Sequence, residues 1–193
     1  MDIESMSVTS NICIDEEFSD DWFAIRVNPN CERSTVSSLK AKGYESFVPL
    51  CREFRNWANR VRKVERAIFQ GYVFCQFDPA VRLPILTTPG VAQIVGTSSG
   101  PVAVDPRELS AIRRIANSFA TPEPWPFLTA GVPVTIDAGP FRGISGRLVS
   151  TRSSLKVVVS VTLLQRSVAV EVDRSWIHPT NEYLMEYAVS GAQ

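Results

Sequence analysis

The chain has 193 residues, 45% of them hydrophobic, and its 20 lysines and arginines are offset by 20 aspartates and glutamates. That is apolar material for one or two packed domains; no apolar run approaches the ~20 residues of a membrane helix, and the N-terminus lacks the positive-then-apolar layout of a secretory signal. The cysteines, Cys13, Cys31, Cys51 and Cys75, are far apart and form no CxxC pair, and His178 is the sole histidine, which argues against a structural zinc site and for reduced thiols in a cytoplasmic protein.

Residues 1–20 carry Asp2, Glu4, Asp15, Glu16, Glu17 and Asp20 and no basic residue, so the rest of the chain is modestly basic. This segment reads as a disordered acidic tail, with an acidic mimic covering the basic surface as the alternative. "DWFAIRV" (21–27) alternates as a strand. In "NPNCERSTVSSLKAKG", Asn28 or Asn30 is a candidate helix cap, Val36 and Leu39 share a face, and Gly43 suits the C-terminal stop. "YESFVPL" is extended. "CREFRNWANRVRKVERAIF" reads as two ribbons joined near Asn59.

"AIFQGYVFCQF" (67–77) has the pattern of a strand that is apolar on both faces, Tyr72 and Phe74 on one side, Val73, Cys75 and Phe77 on the other. An antiparallel sheet with helices on one face needs only one apolar side. Either helices cover both faces or one face is kept for a partner. "DPAVRLPILTTPG" predicts a short, Pro-interrupted helix; "VAQIVG" and "PVAV" are short strands. "DPRELSAIRRIANSF" has the strongest helix pattern: Asp105 caps it, Pro106 opens it, Glu108 completes a capping box, and Leu109, Ile112, Ile115 and Phe119 form its apolar stripe.

Pro122, Pro124 and Pro126 mark a semi-rigid spacer. The expected organisation is thus a tail (1–20), an α+β domain of antiparallel sheet and packed helices (21–119), a linker (120–126), a small β-barrel (127–179) and a tail (180–193). The barrel strands are "VPVTID", "RLVS", "LKVVVSV" and "VAVEVD".

The motifs carry a family resemblance. "IFQGYVFCQF" resembles the F-F-P-G-Y-[VL]-[FL]-V signature of NusG-type transcription elongation factors, and "TTPGVAQIVG" resembles the segment that follows it. "GVPVTIDAGPFRGISGRLV" resembles the family's KOW motif, and "LKVVVSVTLLQRSVAVEVD" is similar to the end of that SH3-like barrel. The match runs over about residues 21–178 in register. It implies an N-terminal (NGN) domain that grips the clamp helices of RNA polymerase's largest subunit in an apolar cavity, keeps the clamp closed and modulates pausing and processivity. Phe69, Tyr72 and Phe74 match the cavity positions. Trp22 and Phe23 are further candidates, but they point to opposite faces of the first strand, so at most one serves. The barrel would be an adaptor for a ribosomal protein or a termination factor. Gln70 stands where the family has Pro, which fits a specialised RfaH-like or capsular-polysaccharide-locus paralogue.

Arg52, Arg55, Arg60, Arg62, Lys63 and Arg66 crowd the ribbon pair. They suit the phosphates of upstream or non-template DNA, or merely keep a sheet edge soluble. Gly139 and Gly143 flank "PF" in the KOW loop and read as turn residues; an exposed Phe141 there would be an adaptor contact. The valine-rich "LKVVVSV" favours strand over helix, so a stably β barrel with no autoinhibitory switch is expected, rather than one that refolds into a helical hairpin masking the polymerase site. A bare KOW-type RNA-binding or ribosome-associated module is the competing reading, and it leaves the aromatic motif unexplained. No phosphate loop or Cys/His pairing suggests an enzyme, and no cofactor or metal is expected. The resemblance also implies a monomer without membrane contact.

Overall fold

The computed structural model describes residues 21–57, 60–118, 121–125, 131–150 and 154–180. The expectations for the two terminal tails therefore lie outside the described residues, apart from Thr180, as does that for Phe119 in the α3 stripe.

The N-terminal unit is a four-stranded antiparallel sheet made from β1 (Trp22–Val27), β2 (Ser46–Phe47), β5 (Tyr72–Gln76) and β6 (Val91–Ile94), in the order β2-β5-β1-β6. Helix α1 (Glu32–Ala41) follows β1, and the four-residue α2 (Leu83–Leu86) follows a 3-10 turn at Pro79–Val81, matching the expected Pro-interrupted helix. Between β2 and β5 the chain makes the hairpin β3 (Leu50–Trp57) and β4 (Arg60–Ala67). After β6 come the small ribbon β7 (Gly96–Thr97) and β8 (Gly100–Pro101) and then α3 (Pro106–Asn117).

Two local expectations need correction. The residue at the α1 cap is Cys31, which makes no side-chain capping bond, while Asn30 is spent on a left-handed turn at φ 62°. In α3 the Asp105 carboxylate does accept from the Arg107 N–H at 2.7 Å. Glu108, however, makes no return bond to the cap; its carboxylate is held elsewhere, as described below.

The double-sided strand is explained by helices on both faces. On one face Phe23, Ile25, Val27, Val73, Cys75 and Phe77 pack with Leu39 of α1 and Ile85 of α2. On the other, Ala24 and Phe74 pack with Leu109, Ile112 and Ile115 of α3. Ile112 and Ile115 are fully buried. Each such side chain contributes roughly 1.5–3 kcal/mol on leaving water.

The second unit is a six-stranded antiparallel sheet, ordered β14-β10-β11-β12-β13-β9, from β9 (Glu123–Trp125), β10 (Val132–Ile136), β11 (Ser145–Ser150), β12 (Leu155–Val161), β13 (Arg166–Glu171) and β14 (Ile177–Pro179). Val134, Ile136, Phe141, Ile144, Val157, Val159, Val168 and Val170 fill its interior. β9 comes from the Pro-rich stretch read as a spacer: Glu123–Trp125 pair with Ser167–Ala169, so these residues extend the barrel sheet. Pro124 fits because β9 is an edge strand, where a missing N–H is tolerated.

The barrel packs against α3. The Glu108 carboxylate of α3 accepts the Thr162 N–H at 3.0 Å and the Thr162 hydroxyl at 2.6 Å. Arg114 donates to the Arg142 carbonyl. A Cβ on Gly143 would stand 2.8 Å from the Arg114 guanidinium, so the glycine lets helix and barrel loop approach. Val158, on the opposite face of β12 from the interior valines, is 1% exposed and lines a shared cleft with α3. Val158 thus breaks the alternation of β12, whose outer face otherwise carries Lys156 and Ser160, at the point where α3 covers it.

Two outcomes are expected. Thr162→Ala removes one hydroxyl bond to a carboxylate, about 1 kcal/mol, and should raise the fraction of undocked barrel about fivefold; energy transfer between dyes on the two units reads this, and an unchanged signal would refute the bolt. Burial pushes the Cys75 thiol up to about 12, so iodoacetamide at pH 8 should leave Cys75 unmodified in the native protein and label it only on unfolding.

Candidate functional site

The motif residues are set by the turn that joins the hairpin to β5. Gly71 takes φ +78°, a left-handed conformation natural to glycine. Its N–H donates to Glu32 Oε1 at 2.8 Å, and its carbonyl accepts the Val27 N–H at 2.8 Å. The first turn of α1 thereby fixes the backbone that a proline at position 70 would otherwise stiffen, and Gln70 stays exposed.

The five candidate rings do not meet in one open hollow. Phe69 and Phe74 are 4% and 0% exposed and belong to the cluster beneath α3, which continues into the barrel through Val161 and Leu164. Tyr72 lies on the same face but is only half-buried, at the rim of a cleft of about 580 Å³. Trp22 lines a separate cleft of about 460 Å³ with Phe47 and Arg113. There the Arg113 guanidinium lies 4.2 Å from the Trp22 ring centroid and 4.5 Å from that of Phe47, an attraction between cation and ring face. Phe47 in turn stacks on Phe74 at 5.3 Å. Phe23 is on the opposite side of the sheet, against Phe77 and the α1/α2 layer. Phe47 and Arg113 were not singled out in the sequence; the alternation of "YESFVPL" and the position of Arg113 one residue past the α3 stripe are the only signals for them.

Among the basic candidates, register pairs Arg52 with Glu65, Arg55 with Arg62, Trp57 with Arg60 and Phe54 with Lys63. The side chains of 54–63, including Arg55, Arg60, Arg62 and Lys63, lie outside the described residues. Arg52 is exposed, and Arg66 stands 3.5 Å from Glu53.

In the loop after β10, Gly139 and Gly143 take φ +73° and +81°, which fits their reading as turn residues. A Cβ on Gly139 would sit 2.5 Å from the Trp176 ring. Phe141 is 1% exposed. It fills the barrel interior and is not a surface adaptor contact, because the 3-10 turn at Gly139–Phe141 swings its ring inward.

Among the described residues, no helix is long and apolar enough to cross a membrane, and no group of three or more His, Cys, Asp and Glu side chains is placed to hold a metal. Cys31, Cys51 and Cys75 are free thiols.

Comparison with known proteins gives these features a lineage. Residues 20–113 match the family described as "Transcription termination factor nusG". The transcription termination/antitermination protein NusG of Pseudomonas aeruginosa is 29% identical over 172 residues, covering 81% of this chain and 96% of the relative. NusG of Pasteurella multocida is 30% identical over 145 residues, covering 71% and 78%. A solved structure of Thermotoga maritima NusG aligns over 82% of this chain and 96% of its own, at 22% identity and a TM-score of 0.48. With the two-sided aromatic sheet, the α3 layer and the C-terminal β unit in place, the chain belongs to the NusG family of transcription termination and antitermination factors.

Proposed function

We propose that this protein binds elongating RNA polymerase through the α3-side face of its N-terminal sheet, in the cytoplasm and without catalysing a reaction. The partner is the pair of clamp helices on the largest subunit. Tyr72 is the central contact. Phe69 and Phe74 support it from beneath, Trp22 extends the surface along β1, and Phe23, on the far face, takes no part. The observation that carries this reading is the partial exposure of Tyr72 beside the buried Phe69 and Phe74. A half-buried aromatic over a packed apolar bed loses little rotamer freedom on binding and is well suited to anchor an interface.

The barrel must lift for this to happen. Its docking on α3 combines three polar bonds with the apolar cluster it shares with the sheet, so lifting it uncovers apolar surface on both sides. Clamp helices would take the place of the barrel's apolar side, so polymerase binding and barrel docking compete. The freed barrel then serves as the adaptor. The hairpin β3–β4 would present its basic positions toward upstream or non-template DNA, and bridging the polymerase cleft would alter pausing and processivity.

In a pull-down with core polymerase, Tyr72→Ala should weaken capture by about 30-fold or more, the effect of losing a hot-spot aromatic of about 2 kcal/mol. Phe23→Leu should leave capture unchanged in any molecule that folds. Wild-type capture by Tyr72→Ala would reject the surface.

A further inference from the structure

The cleft beside Tyr72 is lined from both units. The N-terminal unit contributes Arg26, Arg33, Arg66 and Tyr72, and the barrel contributes Arg166 from the start of β13. Register places Arg26 directly opposite Tyr72, so the two side chains leave the sheet on the same face. The carboxylates at the cleft are already engaged. Glu65 is paired with Arg33 at 2.7 Å, and Glu32 accepts the Gly71 N–H at 2.8 Å. Arg26 and Arg166 are exposed, and among the described residues neither side chain has a hydrogen-bonding or ion-pair partner. Arg66 Nε is buried, with its nearest carboxylate oxygen on Glu53 at 3.5 Å, and that contact falls outside hydrogen-bond geometry, so the N–H has no acceptor.

Two exposed guanidinium groups without a carboxylate partner, lining one cleft, are open to an anion, and the oxygens of a phosphate match the guanidinium fork. At about 580 Å³ the cleft is in the size range of small-molecule sites, and the Tyr72 ring offers a face on which a base can stack. We propose that this cleft binds a nucleotide, with its phosphate between Arg26 and Arg166 and its base against Tyr72. The nucleotide is either free in solution or one unit of a single-stranded nucleic acid. Because each unit supplies one arginine, an occupied cleft staples the barrel to the N-terminal sheet. Ligand and polymerase would then oppose each other at Tyr72.

Full-length protein is titrated at low salt with GTP by calorimetry, and with a short fluorescein-labelled oligouridylate by anisotropy, in the absence of polymerase. At least one probe is expected to bind. Arg26→Gln and Arg166→Gln should each weaken that probe about tenfold, and for the oligouridylate each should reduce the salt dependence by about one phosphate contact. Both arginines are exposed, and thermal melts will show that the variants fold. Binding of GTP identifies a free nucleotide as the ligand, and binding of oligouridylate alone identifies a nucleic acid strand; either result supports the site. Failure of both probes at millimolar concentration overturns the proposal, as does wild-type affinity in both variants. Neither result bears on capture of polymerase by Tyr72, which the pull-down reads separately.

Discussion

Helix α3 is the element on which the rest of the structure depends, because it is packed on two sides. Its Leu109, Ile112 and Ile115 enter a buried cluster that holds Phe74 of the sheet and also the interior of the barrel. A helix with one apolar stripe normally joins one layer. Here the stripe is widened by Ala111, 7% exposed, and by polar residues at the helix margins that bond to barrel groups. The capping geometry at Asp105 fixes where the helix starts. It therefore fixes which turn presents Glu108 to Thr162 and which presents Arg114 to the barrel loop at Arg142.

This arrangement gives the aromatic motif two roles. Phe74 is core, as an aromatic in a central strand usually is. Tyr72, one pleat away on the same face, is half-buried and lines the cleft beside the barrel. The function proposed for the sheet rests on that remaining exposure. Trp22 and Phe47 occupy the other flank of α3 under Arg113, where cation–ring contacts hold the helix to β1 and β2.

Much of this was legible in the sequence. The two-faced pattern of 67–77 called for a cover on both sides of β5 and left open whether the second was a helix layer or a partner; the Asp105-Pro106 start and four motifs in register were plain in the sequence. What escaped was long-range. A glutamate three residues after a cap has the same spacing whether it closes a capping box or reaches 54 positions along the chain, so Glu108 could not be placed. The unbroken valines of "LKVVVSV" were read as strand propensity. Val158, the one apolar residue on the face it shares with Lys156 and Ser160, was also a sign, since a buried side chain there needs a second cover. The convergence of Arg26, Arg66 and Arg166 joins distant segments and leaves no local trace. Asn30 was a reasonable cap candidate, and its tolerance of left-handed backbone, the property that suits asparagine to turns, is what removed it from that role.

β9 has a mechanical consequence. Because Glu123–Trp125 are woven into the barrel sheet, the tether left between the end of α3 at Asn117 and the barrel is residues 118–122. A fully stretched chain of that length spans at most about 18 Å. A barrel released from the helix would stay on this leash, facing its old seat at a high effective concentration. Any outside occupant of the sheet must keep outcompeting a rival that never diffuses away.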